Sequence, residues 1–115
     1  MEQINRVELL GLVGNSRIQE VNGKRVARFT LATSSAYSDR SGGATIDTQW
    51  HNVNAWEGKG VTCLDKIGKG SRVHVWGRIR YSRYTGSDQN ERFSAEIQAN
   101  KVVVIESDDA LQYEM

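Results

Sequence analysis

Residues 48–56 read TQWHNVNAW, with Trp50 and Trp56 six positions apart and two asparagines between them. As a strand, the stretch turns Trp50, Asn52, Asn54 and Trp56 to one face, because side chains alternate with period two. Such a face is aromatic without being apolar. A core face does not normally carry two amides between its large rings, since each buried amide needs hydrogen-bond partners. The indoles therefore read as surface rings of a strand.

Turn signals on either side divide the rest of the chain into similar pieces. Asn22-Gly23, between SRIQEV and KRVARFTLAT, is a two-residue hairpin signal. Residues 38–45 (SDRSGGAT) and 85–90 (TGSDQN) read as polar loops. Strands are expected over 6–13, 24–33, 47–56, 72–84 and 92–105. One segment reads as a helix: Val61, Leu64 and Ile67 share a face, Lys66 lies in its last turn and Gly68 stands at the C-terminal cap. Gly70 then permits a tight turn into the fourth strand. Five strands with one short helix between the third and fourth is the order of an all-β OB-fold, a five-stranded Greek-key barrel that binds oligonucleotides or oligosaccharides across one face.

Composition agrees with one folded domain. The chain has 115 residues, 38% hydrophobic and 25% charged, enough for one compact core. It holds no apolar run of bilayer length, and the N-terminus MEQINRVELL has no basic segment followed by a hydrophobic stretch. A cytoplasmic, nucleoid-associated protein with no membrane contact is expected. The single Cys63 excludes an internal disulfide, and His51 and His74 lack metal-ligand spacing, so neither metal nor cofactor is expected. Residues 1–105 carry fifteen bases against ten acids, a net charge of +5, whereas residues 106–115 carry four acids and no base. The expectation is a binding domain over 1–105 followed by a short, disordered acidic tail.

The fourth strand, RVHVWGRIRYSRY, has two unlike faces. Val73, Val75, Ile79 and Tyr81 suit a barrel interior, with Gly77 at a close approach; His74, Trp76, Arg78, Arg80, Ser82 and Tyr84 form a basic and aromatic stripe. Rings along a cationic groove suit single-stranded nucleic acid, whose unpaired bases stack on aromatic planes while Lys and Arg neutralise phosphates. Indoles more often anchor cores or subunit contacts. The polar companions of Trp50 and Trp56 favour binding for those two; Trp76, before Gly77 in a run of valines, reads as a packing or subunit contact. Arg28, Lys59, Arg78, Arg80 and Arg83 are the candidate phosphate ligands.

Catalysis finds little support. The segment Gly68-Lys69-Gly70-Ser71 lacks the spacing of a phosphate loop and follows a helix instead of opening one. Gly11 and Gly14 form a GxxG that bulges or close backbone approach explain. No local signature sets a nucleophile beside a base, so no catalytic residue is assigned and the chain does not read as an enzyme.

The pieces INRVELLGLVG, FTLATSSAYSD, TQWHNVNAW, KGSRVHVWGRIRYSRYT and FSAEIQANKVVVI, in this order over residues 3–105, resemble the bacterial single-stranded DNA-binding protein family. The resemblance implies base stacking at the matching Tyr37, Trp50, Trp56 and Tyr84, a structural His51 near a subunit contact, and a homotetramer around which DNA wraps. It implies roles in DNA replication, recombination and repair. Family members usually end in a long linker with an acidic tip bearing proline and phenylalanine that recruits replication or repair proteins; here ESDDALQYEM stands after Ile105. Two expectations follow: loss of the partner-binding function, as in a specialised variant of a phage or mobile element, or replacement of the terminal phenylalanine by Leu111, Tyr113 and Met115 as an apolar anchor. A second departure is Ser16-Arg17 where the family often has Asp-Pro. Two alternatives remain: a primosomal-type OB-fold adaptor acting through protein partners, and an oligosaccharide-binding OB-fold whose binding would not respond to salt. A cold-shock RNA-binding type lacks its aromatic signatures here.

Overall fold

The computed structural model describes residues 2–105; the acidic tail, with Leu111, Tyr113 and Met115, lies outside the described residues. Five strands, β1 (Val7–Val21), β2 (Lys24–Ser38), β3 (Ala44–Trp56), β4 (Arg72–Thr85) and β5 (Glu91–Ile105), close into a barrel in the order β1-β2-β3-β5-β4. All pairings are antiparallel except β3 with β5, which run parallel over four residue pairs from Asn52↔Glu96 to Ala55↔Ala99. The all-β, five-stranded barrel expected from the sequence is thus present.

Local chemistry sets the corners. Asn22 (φ 53°) and Gly23 (φ 82°) both take the left-handed conformation, as a two-residue turn matched to strand twist requires. From that turn the register runs from Val21↔Lys24 through Arg17↔Arg28 to Ser16↔Phe29, then shifts before Val13↔Leu31. Gly14 and Asn15 thus both oppose Thr30, and the Asn15 amide donates to Thr30 Oγ1 at 3.0 Å. This is a β-bulge, which bends the strand and re-aims its side chains. A second bulge, at Asn100, separates Trp76↔Lys101 from Gly77↔Ala99. Gly77 is required there, because a Cβ would stand 2.2 Å from the Gln98 carbonyl oxygen.

The core is one cluster. Val13, Phe29, Leu31, Val53, Val73, Val75, Ile97 and Val102 meet inside the barrel, and Val61, Leu64 and Ile67 join them from the β3–β4 connection. The expected helix is reduced to one 3-10 turn, Leu64–Lys66. Its three apolar residues are buried as expected, but the connection has too few residues between Gly60 and Gly68 to repay the cost of nucleating an α-helix. Gly68 is not its left-handed cap; the positive φ falls at Gly70 (87°). Ser71 instead accepts the Gly68 amide on Oγ at 3.1 Å. Arg25 braces the same connection, pairing with Glu57 and, at 3.1 Å, with Asp65; these two carboxylates raise the guanidinium pKa further above its ordinary value.

Two hairpins extend beyond the barrel. β2 and β3 stay paired out to Ser38↔Ala44, and β4 and β5 out to Thr85↔Glu91, so β2 and β3 outrun the strands expected over 24–33 and 47–56, and β1, expected to end at Val13, continues through its bulge to Val21. This corrects the placement of Tyr81 in the interior. Its parity is that of the inward-facing Val73 and Val75, but at its level the sheet has left the barrel, and the ring is 69% exposed.

Candidate nucleic-acid interface

Residues paired across neighbouring strands point to the same side of a sheet, so the registers lay out the outer surface in rows. One row runs Arg17 (β1), Arg28 (β2), Asn54 (β3), Gln98 (β5) and Arg78 (β4); the next runs Thr30, Asn52, Glu96 and Arg80. Trp50 pairs with Ala32 on one side of these rows, and Trp56 pairs with Val26 on the other. With about 3.3 Å per residue, the two indoles stand about 20 Å apart along β3. The alternation expected for residues 48–56 holds: His51, Val53 and Ala55 face the other way, and Val53 and Ala55 are fully buried.

Trp50 is 61% exposed and occupies the β1 bulge. Gly14 offers bare backbone there: a Cβ would lie 2.6 Å from Cζ3 of the indole. The ring, Gly14, Asn15, Thr30 and Lys69 line one cleft of about 400 Å³. An exposed aromatic plane beside an ammonium can take a base and its phosphate together. Beside it, Arg17, Arg28, Asn52, Asn54 and Glu96 line an open depression of about 370 Å³. Two guanidiniums there have no carboxylate partner within salt-bridge distance among the described residues, which leaves them free to meet an anion.

The other sequence-derived candidates divide between surfaces. Trp56, 38% exposed, closes β3 beside the turn that carries the exposed Lys59. Tyr84 shares the face of Arg78 and Arg80 near the tip of the β4–β5 hairpin, exposed and paired with Arg92. Arg78 and Arg80 are exposed but do not line the depression; β5 stands between. Arg83 points to the opposite face of that hairpin, 5.3 Å above the Phe93 ring and 3.4 Å from Glu91. Tyr37, also exposed, pairs with Thr45 and by parity lies on the face of the β2–β3 ribbon opposite Trp50. His51 sits on that same face, with Nε2 2.9 Å from Thr33 Oγ1.

The stripe expected on β4 is interrupted at its start. His74 is 9% exposed, stacked on Trp76 at 3.7 Å between centroids and 2.6 Å from Glu8. Lys101 Nζ lies 4.9 Å from the Trp76 ring. Trp76 is therefore packed, in line with its reading as a packing residue, while His74 leaves the exposed set because Trp76 stacks on it and Glu8 of β1 bonds it. Asn54 likewise leaves the exposed set of β3: it is 8% exposed and donates to Glu96 at 2.6 Å.

Three charged side chains of the site were not singled out from the sequence: Arg17, Lys69 and Glu96. Arg17 was legible from the hairpin, because counting outward from Asn22-Gly23 pairs it with Arg28. Lys69 and Glu96 depend on contacts between segments far apart in sequence. Among the described residues no group of His, Cys, Asp and Glu is placed to hold a metal ion, and no helix is long and apolar enough to cross a membrane.

Comparison with known proteins assigns the barrel. The chain is 36% identical over 104 residues to the single-stranded DNA-binding protein of Xanthomonas campestris pv. campestris, covering 89% of this chain and 60% of that protein. It is 34% identical over 106 residues to that of Neisseria meningitidis serogroup A, with 89% and 60% covered. The chain thus spans about 60% of the length of these relatives. The Plasmodium falciparum SSB, solved as a complex with ssDNA, superposes with a TM-score of 0.80 at 28% identity, over 92% of this chain and 98% of that one. A small single-stranded DNA-binding protein from Streptomyces coelicolor shares the fold, with a TM-score of 0.69 at 23% identity over 90% and 95% of the two chains. Residues 4–105, which contain the whole barrel, match the model of the Single-strand binding protein family, and the chain belongs to that family.

Proposed function

We propose that residues 1–105 bind single-stranded DNA with little sequence preference and shield it during replication, recombination and repair, without catalysis. The observation that carries this reading is the exposed Trp50 plane, seated on Gly14 beside Lys69 and adjoining the depression of Arg17 and Arg28. A base stacked on Trp50 leaves its phosphates within reach of these cations, and a second base stacks on Trp56 at the far end of the same strand face. Such stacking is sequence-tolerant, because every base has a π-face. Tyr84 and Tyr37 extend the path onto the hairpins, with Lys59, Arg78 and Arg80 as further phosphate ligands, while Arg83, held by Phe93 and Glu91 on the opposite face of its hairpin, stands apart from them. The relatives carry names of single-stranded DNA-binding proteins, which favours this over an adaptor role.

The hairpins also fit a homotetramer. Tyr81 and Phe93 are 69% and 66% exposed on one face of the β4–β5 hairpin, an apolar surface that a second copy would cover, and His51 lies on the ribbon face turned away from Trp50. Linking several such barrels on one strand multiplies weak contacts through effective concentration. A cytoplasmic location and contacts with replication or repair proteins belong to the same reading.

The test is the affinity for oligo-dT, for a duplex of equal length and for a neutral oligosaccharide, each at low and high salt. Tight, salt-sensitive binding of the single strand alone is expected. Equal binding of the duplex, or salt-insensitive binding of the sugar, would overturn the reading.

A further inference from the structure

Glu96 is out of place on a phosphate-binding face. It lies at the centre of the outer rows, between Asn52 on β3 and Arg80 on β4 in register, and it lines the depression with Arg17 and Arg28. No Lys or Arg of the described residues pairs with it. A lone carboxylate there repels a passing phosphate. Its own neighbours are amides: Asn54 Nδ2 donates to it at 2.6 Å and Gln98 Nε2 at 3.4 Å, and both bonds go to Oε2. Asn54 is 8% exposed, so the carboxylate is held from a buried anchor. Oε1 takes no hydrogen bond from the described residues and is the acceptor left for a ligand.

We propose that Glu96, fixed by Asn54 and Gln98, is a base-reading subsite that favours bases with an exocyclic amine, cytosine among them, over thymine. The proposal rests on the single-stranded DNA reading given above. A carboxylate is the complement of the cytosine N4 amine. Thymine offers only its N3–H on the same edge, between two carbonyl oxygens that repel the charge. Cytosine and thymine are both single-ring pyrimidines, so stacking does not separate them strongly. The face as a whole stays sequence-tolerant, and this one position biases which base rests in the depression.

The variant Glu96→Gln reverses the subsite. With Asn54 and Gln98 both donating, the new amide turns its oxygen to them and its NH2 to the depression, presenting a donor where the acceptor was. That donor suits the thymine O4 and no longer pairs with the cytosine amine, meeting only the cytosine N3 or O2, so the preference for cytosine is lost. Loss of the negative charge also raises affinity for every strand, but it cancels in a ratio.

The experiment measures affinities of the full chain and of Glu96→Gln for dC and dT oligomers of about 16 nucleotides, which lies within the range one OB-fold covers. The expected result is a dC/dT affinity ratio that falls by about fivefold or more in the variant. An unchanged ratio in a folded variant that binds both strands would overturn the subsite and leave Glu96 as a brace between β3 and β5. If the variant does not fold, the wild-type chain decides: an oligomer of N4-dimethylcytidine is expected to bind less well than dC, and equal binding overturns the proposal. Failure of the wild-type chain to bind either homopolymer would instead remove the single-stranded DNA reading, and the subsite with it.

Discussion

The indole of Trp50 rests over Gly14: a Cβ on that glycine would stand 2.6 Å from Cζ3 of the ring and 2.8 Å from Thr30 Oγ1. The contact exists because β1 bulges there, setting two residues against Thr30 alone. A backbone irregularity on one strand thus aims an aromatic side chain on a strand two places away around the barrel.

Gly14→Ala is expected to move the indole without unfolding the barrel, since the nearest obstructing atom is the far end of a side chain. Oligo-dT affinity should fall by about 1–3 kcal/mol, the worth of one base stack, with the unfolding midpoint near that of the wild type. Gly11→Ala is the contrast. Its Cβ would meet the Ala32 carbonyl oxygen at 2.0 Å, so the β1–β2 pairing must give way, at a cost of about 1–3 kcal/mol of stability read by denaturant unfolding.

Trp56→Ala is expected to weaken oligo-dT binding by about 1–3 kcal/mol in a folded protein, checked by titration alongside circular dichroism. Unchanged affinity would remove Trp56 from the path and confine it to covering Val26, which is fully buried and paired with it.

Salt dependence separates the arginines. Each phosphate contact on a single strand contributes about 0.7 to the slope of log affinity against log salt. Arg17→Ala and Arg28→Ala should each lower that slope by about this amount. Arg83→Ala should leave the slope unchanged, because Phe93 and Glu91 hold the guanidinium on the opposite face of its hairpin; a reduced slope would place it on the strand's path.

The hairpin loops carry a pH dependence. The Asp39 carboxylate accepts the Ser41 hydroxyl at 2.7 Å and the Ser41 and Gly43 amides at 2.9 Å each, and these bonds lower its pKa below 3.8. Asp88 is lowered likewise, by Asn90 first and then by Arg92. A depressed carboxylate pKa favours the ordered loop above pH 3.8, and that preference is lost as pH falls through the lowered value. The protection factors of the Ser41, Gly43 and Asn90 amides, taken relative to the intrinsic exchange rate at each pH, should therefore fall on acidification below about pH 4, before those of the barrel strands. A parallel loss of protection throughout would show that the loops report only global unfolding.

The sequence made the strands and the Trp50–Trp56 face legible because alternation is a local property: one strand's own residues decide it. It also led to the turn at Asn22-Gly23, but with the first strand expected to end at Val13 the Arg17↔Arg28 pairing did not follow from it. Tyr81 was misplaced because parity states which way a side chain points, not whether barrel or solvent lies there. The helix over Val61, Leu64 and Ile67 shrank to a 3-10 turn because shared burial, not helical spacing, holds those three residues. Lys69 and Glu96 escaped notice since their roles come from the β1 bulge and the parallel β3–β5 pairing, both non-local. The face of Tyr37 followed from the length of the β2–β3 ribbon, which its turn residues understate.

The central claim, that indoles on the β3 face stack on unpaired bases, is tested most directly by tryptophan fluorescence of the Trp76→Phe protein, in which only Trp50 and Trp56 report. Titration with oligo-dT at low salt is expected to quench that emission strongly and in step with binding measured by the anisotropy of a labelled strand, with both signals receding as salt rises. Binding of the strand without quenching would contradict the account, and would move the DNA path off the β3 face.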